Sequence, residues 1–428
     1  MTYQHTDENK INNNIWLINP YCTPPEKETR LRTIKFAQYL QADGYKVKIF
    51  CGSAVHNSTF NYIRDDRDYL AEVYNGIQFV QIRNNNYEKN DQKRLKSLHQ
   101  FYKLLSKIYY SFDKPDVILH TLTVPFGKVV ADIAVKTKAK YFCEVLDLWP
   151  ESFVAFGVLG KRNPALPVLR GVEKSFYFKA DKLVFSMQGG SDYIKERGWD
   201  HCLHHKIDQS KVFHINNGVD LKDFNENKTK YRLEDKDLKD DTILKIIYLG
   251  SIRLANDLKK LVDAAALLQE YKNIRFLIYG DGDDRAYLEN YVKEKQIKNI
   301  IFKEKWIDIK YVPYVLSKSY LNILNYMPND IWRFGGSQSK LFQYLASGKP
   351  ICSNLEMGYC LINKHQVGIA KKFLSVEEYA EAILTICMMD KTEYSKMCER
   401  ASLLAMEYDY QALTRKFESL FIMEGYDG

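Results

Sequence analysis

The chain has no cysteine pair at metal or redox spacing. Its eight cysteines, Cys22, Cys51, Cys143, Cys202, Cys352, Cys360, Cys387 and Cys398, form no CxxC, which excludes a site built on that motif. Several lie inside apolar runs such as KIFCG and YFCEVL, so free buried thiols in a reducing compartment are the simplest account. No apolar stretch approaches the roughly 18 residues that a membrane span needs, and residues 1–14 are polar, with no secretory leader. These absences predict a cytoplasmic protein, or one that meets the inner face of a membrane only as a peripheral partner. There is also no nucleic-acid-binding motif. The formal net charge of +8 comes from Lys and Arg interspersed with Asp and Glu along the whole chain, which excludes a nucleic-acid-binding protein. A mildly basic surface of this kind fits anionic lipid or a nucleotide diphosphate.

What is present is length and apolar content. A chain of 428 residues, 46% apolar, can bury two cores, and suggests two domains of roughly 200 residues each. Aromatic residues make up 14% of it, 31 of them Tyr. A Tyr offers a broad apolar face with a polar tip, suited to sugar contact, although a compositional habit explains the count equally well.

Short apolar runs alternate with helical patterns. NIWLINP at 14–20 reads as a buried strand, 29–41 as a helix and 45–52 as the next strand, a β-α-β unit that implies a parallel sheet. DVILH (116–120), KYFCEVL (140–146) and KLVFS (182–186) continue the series. Residues 210–240 carry INNGVD and then a polar, charged stretch, and read as the interdomain connection. A second alternating set follows: strands at 245–250, 275–280, 299–303, 320–326 and 350–354, with helices at 258–270, 285–295 and 339–347. Ligands of such sheets bind at the carboxyl ends of the strands.

An ordered set of motifs then points to a family. NPYCTPPE opens it, EVLDLWPES stands at 144–152, KADKLVFSM at 179–187 and INNGVDLKDF at 215–224. YLGSI (248–252), YGDGDDRAYLE (279–289) and SKLFQYLASGKPI (339–351) complete it. Together they resemble the family 4 retaining glycosyltransferases, in their bacterial surface-polysaccharide branch. The resemblance implies an α/β GT-B fold: two Rossmann-like domains facing across a cleft, with 1–213 for the acceptor and 214–405 for the nucleotide sugar. A last helix, in 406–428, would pack back on the first domain. It implies a hexosyltransferase-like enzyme, needing no metal or other cofactor, that moves a sugar from a nucleotide-diphosphate sugar, UDP-linked by default, onto a carbohydrate or lipid-linked acceptor. Capsule, O-antigen (lipopolysaccharide) or exopolysaccharide would be the product.

The chemistry such an enzyme needs is stabilisation of a leaving diphosphate, which cations and helix N-termini supply. FGGSQSK offers both: Gly335 and Gly336 for close backbone approach, Ser337 or Ser339 as a helix cap, and Lys340 in the first helical turn, where a cation is unfavourable unless an anion is present. Gly250 and Ser251 end a strand; Arg253 and Lys259 are the basic candidates that follow, with Lys260 the alternative to Lys259 and a solvated helix face the alternative to both. Gly280 and Asp281 form a turn at a strand's carboxyl end. The family's pair of glutamates, eight residues apart, corresponds here to Gly335 and Gln343. Gln343 can still accept a ribose hydroxyl, without charge assistance.

On the acceptor side, Asp147 follows an apolar strand and is placed to orient an acceptor hydroxyl or take its proton, a helix cap or salt bridge being the alternative. Leu146 stands where relatives carry a basic residue. Glu151 is the second candidate acid, and Trp149 either stacks on a sugar or belongs to a core. Glu26 lies in the first loop, and Arg30 and Arg32 follow it, placed for an anionic acceptor or on a basic helix face. The stretch 93–110 spaces Leu95, Leu98, Phe101, Tyr102, Leu105 and Ile108 helically among five basic residues, which fits a helix covering the sheet, an interfacial membrane helix, or both. His201, His204 and His205 read as a solvated loop. A non-catalytic partner subunit, or another GT-B enzyme such as a sugar-nucleotide epimerase, is the alternative function.

Overall fold

The computed structural model describes residues 13–28, 30–89 and 91–422. The polar opening up to residue 12, Thr29, Asn90 and residues 423–428 lie outside them. The chain divides into two compact units, Met1–Ile215 with Thr414–Gly428, and Asn216–Leu413.

The N-terminal unit carries β1 (Asn14–Ile18), α1 (Arg32–Ala42), β2 (Lys46–Gly52), β3 (Tyr69–Tyr74), β4 (Ile77–Ile82), α2 (Gln92–Ile108), β5 (Val117–Thr121) and α3 (Lys128–Thr137). Then come β6 (Lys140–Val145), α4 (Glu151–Ala155), α5 (Leu166–Lys179), β7 (Lys182–Phe185), α6 (Gly190–Glu196) and β8 (Val212–His214). The sheet runs β3-β4-β2-β1-β5-β6-β7-β8, parallel except for the β3–β4 hairpin. Buried parallel strands read as near-continuous apolar runs, which is why β1, β5 and β6 stand out in the sequence. The chain order reverses between β1 and β5, the switch point where open α/β sheets leave a crevice.

The C-terminal unit carries α7 (Leu221–Lys230), α8 (Lys236–Lys239), β9 (Leu244–Leu249), α9 (Leu258–Leu267), β10 (Ile274–Tyr279), α10 (Arg285–Glu294), β11 (Ile300–Phe302), α11 (Val312–Ser317) and β12 (Leu321–Leu324). It continues with α12 (Ser339–Ala346), β13 (Ile351–Ser353), α13 (Leu361–Lys364), β14 (Gly368–Ala370), α14 (Val376–Cys387) and α15 (Lys391–Glu407). The sheet is wholly parallel, β11-β10-β9-β12-β13-β14, with its switch point between β9 and β12. Apolar clusters cover it: Leu258, Leu261, Val262 and Ala265 of α9 with Ile383 and Ile386 of α14 in one, Phe342, Tyr344 and Leu345 of α12 in another.

The last helix, α16 (Tyr410–Ile422), completes the N-terminal unit. Phe417 stacks on Phe36 at 5.5 Å and meets Phe142 edge-on, while Phe421 meets Tyr45 edge-on. The Tyr45 hydroxyl donates to Glu418 at 2.9 Å.

One sequence reading changes, and the expected covering helix at 93–110 is found. Residues 210–240 are no bare connection: they hold β8, α7 and α8. Asp220 caps α7 by accepting the Asp223 N–H at 2.8 Å, and buried Phe224 anchors it. The stretch 93–110 is α2 for most of its length, and Leu98, Phe101, Tyr102, Leu105 and Ile108 are buried in the N-terminal unit. Leu95 alone of the expected stripe stays exposed. The apolar face that would enter a membrane is therefore used internally. Among the described residues, no helix is long and apolar enough to cross a membrane.

Candidate functional site

In the C-terminal unit the site grows from glycines at the carboxyl ends of β9 and β10. Gly250 has φ +148°, and an added Cβ would fall 2.1 Å from Lys340 Nζ. Gly280 has φ +124°, and its Cβ would fall 1.8 Å from the Gly250 carbonyl. A side chain at either position is excluded by both backbone and space. The two turns are bonded together: Gly250 N–H donates to Tyr279 O at 3.0 Å and Ile252 N–H to Asp281 O at 2.8 Å. Arg285, the buried first residue of α10, holds the Gly280 turn by donating to the carbonyls of Gly280 and Lys303. The sequence signal for it, an Arg closing GDGDDR, went unread.

Lys340 is the central side chain. Its ammonium lies over the Tyr248 ring, 4.7 Å from the centroid, and donates to the Tyr248 hydroxyl at 3.1 Å. That hydroxyl donates in turn to Ser251 O at 2.6 Å. Among the described residues no carboxylate lies within ion-pair distance of Lys340. Burial pushes its ammonium down to about 8. It stands in the first turn of α12, which has no acidic residue there and no side-chain cap on its N–H groups. The expected cap from Ser337 or Ser339 is absent, because the capping position is Gln338. Ser337 faces elsewhere: its hydroxyl accepts the Asn217 N–H at 3.1 Å, and its carbonyl accepts from the Asn217 side chain. Gly335 is buried, and a Cβ on Gly336 would meet the Gln338 amide and the Met357 sulfur. Gln343 is half-buried; Asp281, Ser251, Arg253 and Ser339 are exposed.

Lys259 is not brought to this place. It sits on α9, paired with Asp263 one turn on at 2.6 Å and stacked over the Tyr291 ring at 4.0 Å. Lys260 donates to the Phe373 carbonyl. Both cations are engaged by neighbours on the outer helices, so a second donor cation comes from neither.

In the N-terminal unit, Asp147 follows β6 at the carboxyl edge and keeps an exposed surface. Crowding by surrounding protein raises its carboxyl above the ordinary carboxylate range, opposed by Arg94. Glu151, the second candidate acid, is already spoken for: Arg170 and Arg197 each reach its Oε1 at 2.7 Å, and its side chain is 13% exposed. That oxygen is engaged by two guanidiniums and is not turned toward an acceptor. Trp149 is half-buried, edge-on to Phe153 at 6.0 Å. Glu26 is exposed; Arg30 is exposed and 3.7 Å from Glu28. Arg32 is not available to an acceptor. It is buried, with Nε 2.7 Å from Glu144 and Nη2 donating to Ile215 O at 2.8 Å. Glu144, buried in β6, also accepts from the Thr121 hydroxyl at 2.6 Å. The His201 loop forms no metal cluster: among the described residues no three His, Cys, Asp or Glu side chains gather as metal ligands.

The comparisons with known proteins follow the same division. Residues 230–402 match the family model for glycosyl transferases group 1. A search of curated proteins returns no match. Among solved structures, the trehalose-6-phosphate synthase OtsA is similar at TM-score 0.74 and 12% identity, over 96% of this chain and 99% of that one. A related structure from E. coli, bound with UDP-2-fluoro glucose, gives 0.71 at 11% identity over 96% and 99%. A glycosyltransferase from Rickettsia africae gives 0.66 at 16% identity over 97% and 100%. At such identities the likeness is one of fold, two Rossmann-like domains of the GT-B kind. Together with the group 1 match it supports a glycosyltransferase.

Proposed function

We propose that the chain is a retaining glycosyltransferase that moves a sugar from a nucleotide-diphosphate sugar onto a carbohydrate or lipid-linked acceptor in cell-surface polysaccharide synthesis. One observation carries the donor half of this reading. Lys340 is a desolvated ammonium that meets a tyrosine hydroxyl and, among the described residues, no carboxylate, at the head of a helix without a side-chain cap and against a glycine turn. A diphosphate would satisfy the ammonium, the free N–H groups of α12 and the glycine turn together. As the sugar leaves, charge grows on that diphosphate, and the same groups stabilise it without a resident metal. Gln343, one turn further along α12, would accept a hydrogen bond from the ribose. Asp147 would orient the acceptor hydroxyl and receive its proton; burial raises its carboxyl above the ordinary value, which makes it the better base.

UDP is the first nucleotide to try, since one structural neighbour was solved with UDP-2-fluoro glucose. Thermal unfolding with a panel of nucleotide diphosphates and their sugars tests the reading. UDP or a UDP-sugar raises the melting temperature of the native chain, and Lys340→Met removes most of that shift. A panel in which no nucleotide diphosphate has any effect would sink the transferase reading. Turnover that persists in a chelator checks metal independence. Binding without turnover on any acceptor would favour the partner-subunit alternative.

A further inference from the structure

The N-terminal unit gathers cations around one small patch of its carboxyl edge. Arg94, on the first turn of α2, donates to the Tyr21 hydroxyl through Nε at 3.0 Å and Nη2 at 2.6 Å, with its guanidinium 4.9 Å from the Tyr21 ring centroid. Arg30 reaches the Tyr21 carbonyl at 3.4 Å. The His56 ring stands edge-on to Tyr21 at 5.3 Å, and its Nδ1 is 2.8 Å from the Tyr87 hydroxyl. Lys27 and Arg64 both lie over the neighbouring Phe60 ring.

Three acids stand near these residues. Glu28 is buried, accepts the N–H groups of Thr23 and Arg30 at 2.8 and 2.7 Å, and lies 3.7 Å from the exposed Arg30 guanidinium, so it offsets part of that charge. Glu26 is exposed. Asp147 feels Arg94 and is felt by Tyr21, so it lies beside the patch. The field at His56 is positive: burial, then Arg30, then Arg94 hold its imidazole down to about 4, so it stays neutral at physiological pH. The patch thus presents two guanidiniums, a tyrosine hydroxyl and a neutral imidazole, which is a donor-rich surface for a tetrahedral anion.

We propose that Arg94 and Arg30, set about the Tyr21 hydroxyl and the His56 imidazole, bind a phosphate group carried by the acceptor. The inference rests on the transferase reading and narrows its acceptor to a phosphate-bearing molecule. Asp147, beside the patch, then addresses a hydroxyl of the molecule whose phosphate Arg94 and Arg30 hold. A lipid-linked sugar diphosphate and a soluble sugar phosphate both offer this chemistry.

The full chain is titrated with inorganic phosphate, a hexose 6-phosphate and a detergent-dispersed prenyl diphosphate. His56 ring signals, identified with His56→Gln, are followed by NMR through pH. An anion between the guanidiniums offsets their part of the depression, so the His56 titration moves up from about 4, while burial, the larger cause, keeps it below the ordinary 6.5. Arg94→Gln weakens the responding probe at least about tenfold, the worth of one charge-assisted hydrogen bond, and Arg30→Gln weakens it less. The UDP-driven thermal shift, which reads Lys340 in the other unit, shows whether each variant is folded; Arg94→Lys provides a milder second variant.

A response to the prenyl diphosphate alone assigns a lipid-linked acceptor, and one to the hexose phosphate alone a soluble one. Both responding supports a phosphate site shared by either source. The proposal is overturned if a chain that responds to UDP binds no organic phosphate, or only inorganic phosphate. It is equally overturned if binding is unchanged in Arg94→Gln and Arg30→Gln. If a phosphate probe binds through Arg94 while UDP does nothing, the phosphate site stands and the transferase reading falls.

Discussion

The carboxyl edges of the two sheets are built from different materials. In the C-terminal unit the edge is backbone: Gly250 and Gly280 in turns that leave no room for a side chain, Gly335 and Gly336 ahead of an uncapped helix, and one ammonium. In the N-terminal unit the edge is side chains: Arg32 on Glu144, Arg94 on Tyr21, and Asp147. A backbone site needs glycine at fixed offsets, and few sequences satisfy it. A side-chain site can be composed in many ways. The family match, confined to 230–402, falls on the glycine edge. A diphosphate common to many donors calls for a constant cradle, whereas acceptors differ and their site differs with them.

The largest effect expected is on the side-chain edge. Arg32→Met leaves Glu144 buried with only the Thr121 hydroxyl, and should cost about 3–5 kcal/mol, read as a fall in the denaturant midpoint. A loss below about 1 kcal/mol would mean that this pair is not structural.

On the glycine edge, Gly280→Ala drives a methyl into the Gly250 carbonyl at 1.8 Å. About 2–3 kcal/mol of stability and most of the nucleotide response should go together. Near-normal donor binding in a folded Gly280→Ala chain would show that the turn tolerates bulk and the cradle is elsewhere.

Lys340→Met should reduce donor affinity about thirtyfold, or ~2 kcal/mol, without lowering stability. Its pH dependence has a definite sign. The folded chain holds the Lys340 proton at about 8 against an ordinary 10.5. The unfolded chain therefore binds more protons between those values, and native stability rises as pH climbs through them. Donor affinity falls over the same window as the ammonium is lost. Both slopes should flatten in Lys340→Met; a slope that survives belongs to another group.

The smallest effect separates the two lysines. Lys259→Met removes an i,i+4 pair on an outer helix, worth under about 0.5 kcal/mol, and should leave UDP affinity unchanged. A large loss of affinity would return Lys259 to the donor site.

The sequence shows these regions unevenly, for physical reasons. Strands β1, β5, β6, β9 and β10 are legible because strands buried on both faces are largely apolar, with few polar interruptions such as Glu144. The β3–β4 hairpin escapes notice because β3 lies at the sheet's edge with no buried residue and a charged centre. Helix α7 looks like a connection because one buried residue, Phe224, is all that it contributes to a core. Among the lysines, residue type could not separate Lys259 from Lys340. The separating signal was Asp263, four residues beyond Lys259, which can absorb a neighbouring cation on a helix. Of the patch around Arg94 only Arg30 was legible: Tyr21 and Arg30 lie in the β1–α1 loop, His56 after β2, and Tyr87 and Arg94 between β4 and the first turn of α2, segments that only the sheet topology brings together.

The return of α16 to the N-terminal unit also sets an order on biosynthesis. Phe36 and Phe142 are covered by Phe417 and Phe421, residues that leave the ribosome long after them. Translating the intervening C-terminal unit takes on the order of 10–40 s at ordinary elongation rates. For that interval the first-made unit waits with one aromatic face open, a natural client for chaperones, and a late nonsense codon would damage the half of the protein that was made first.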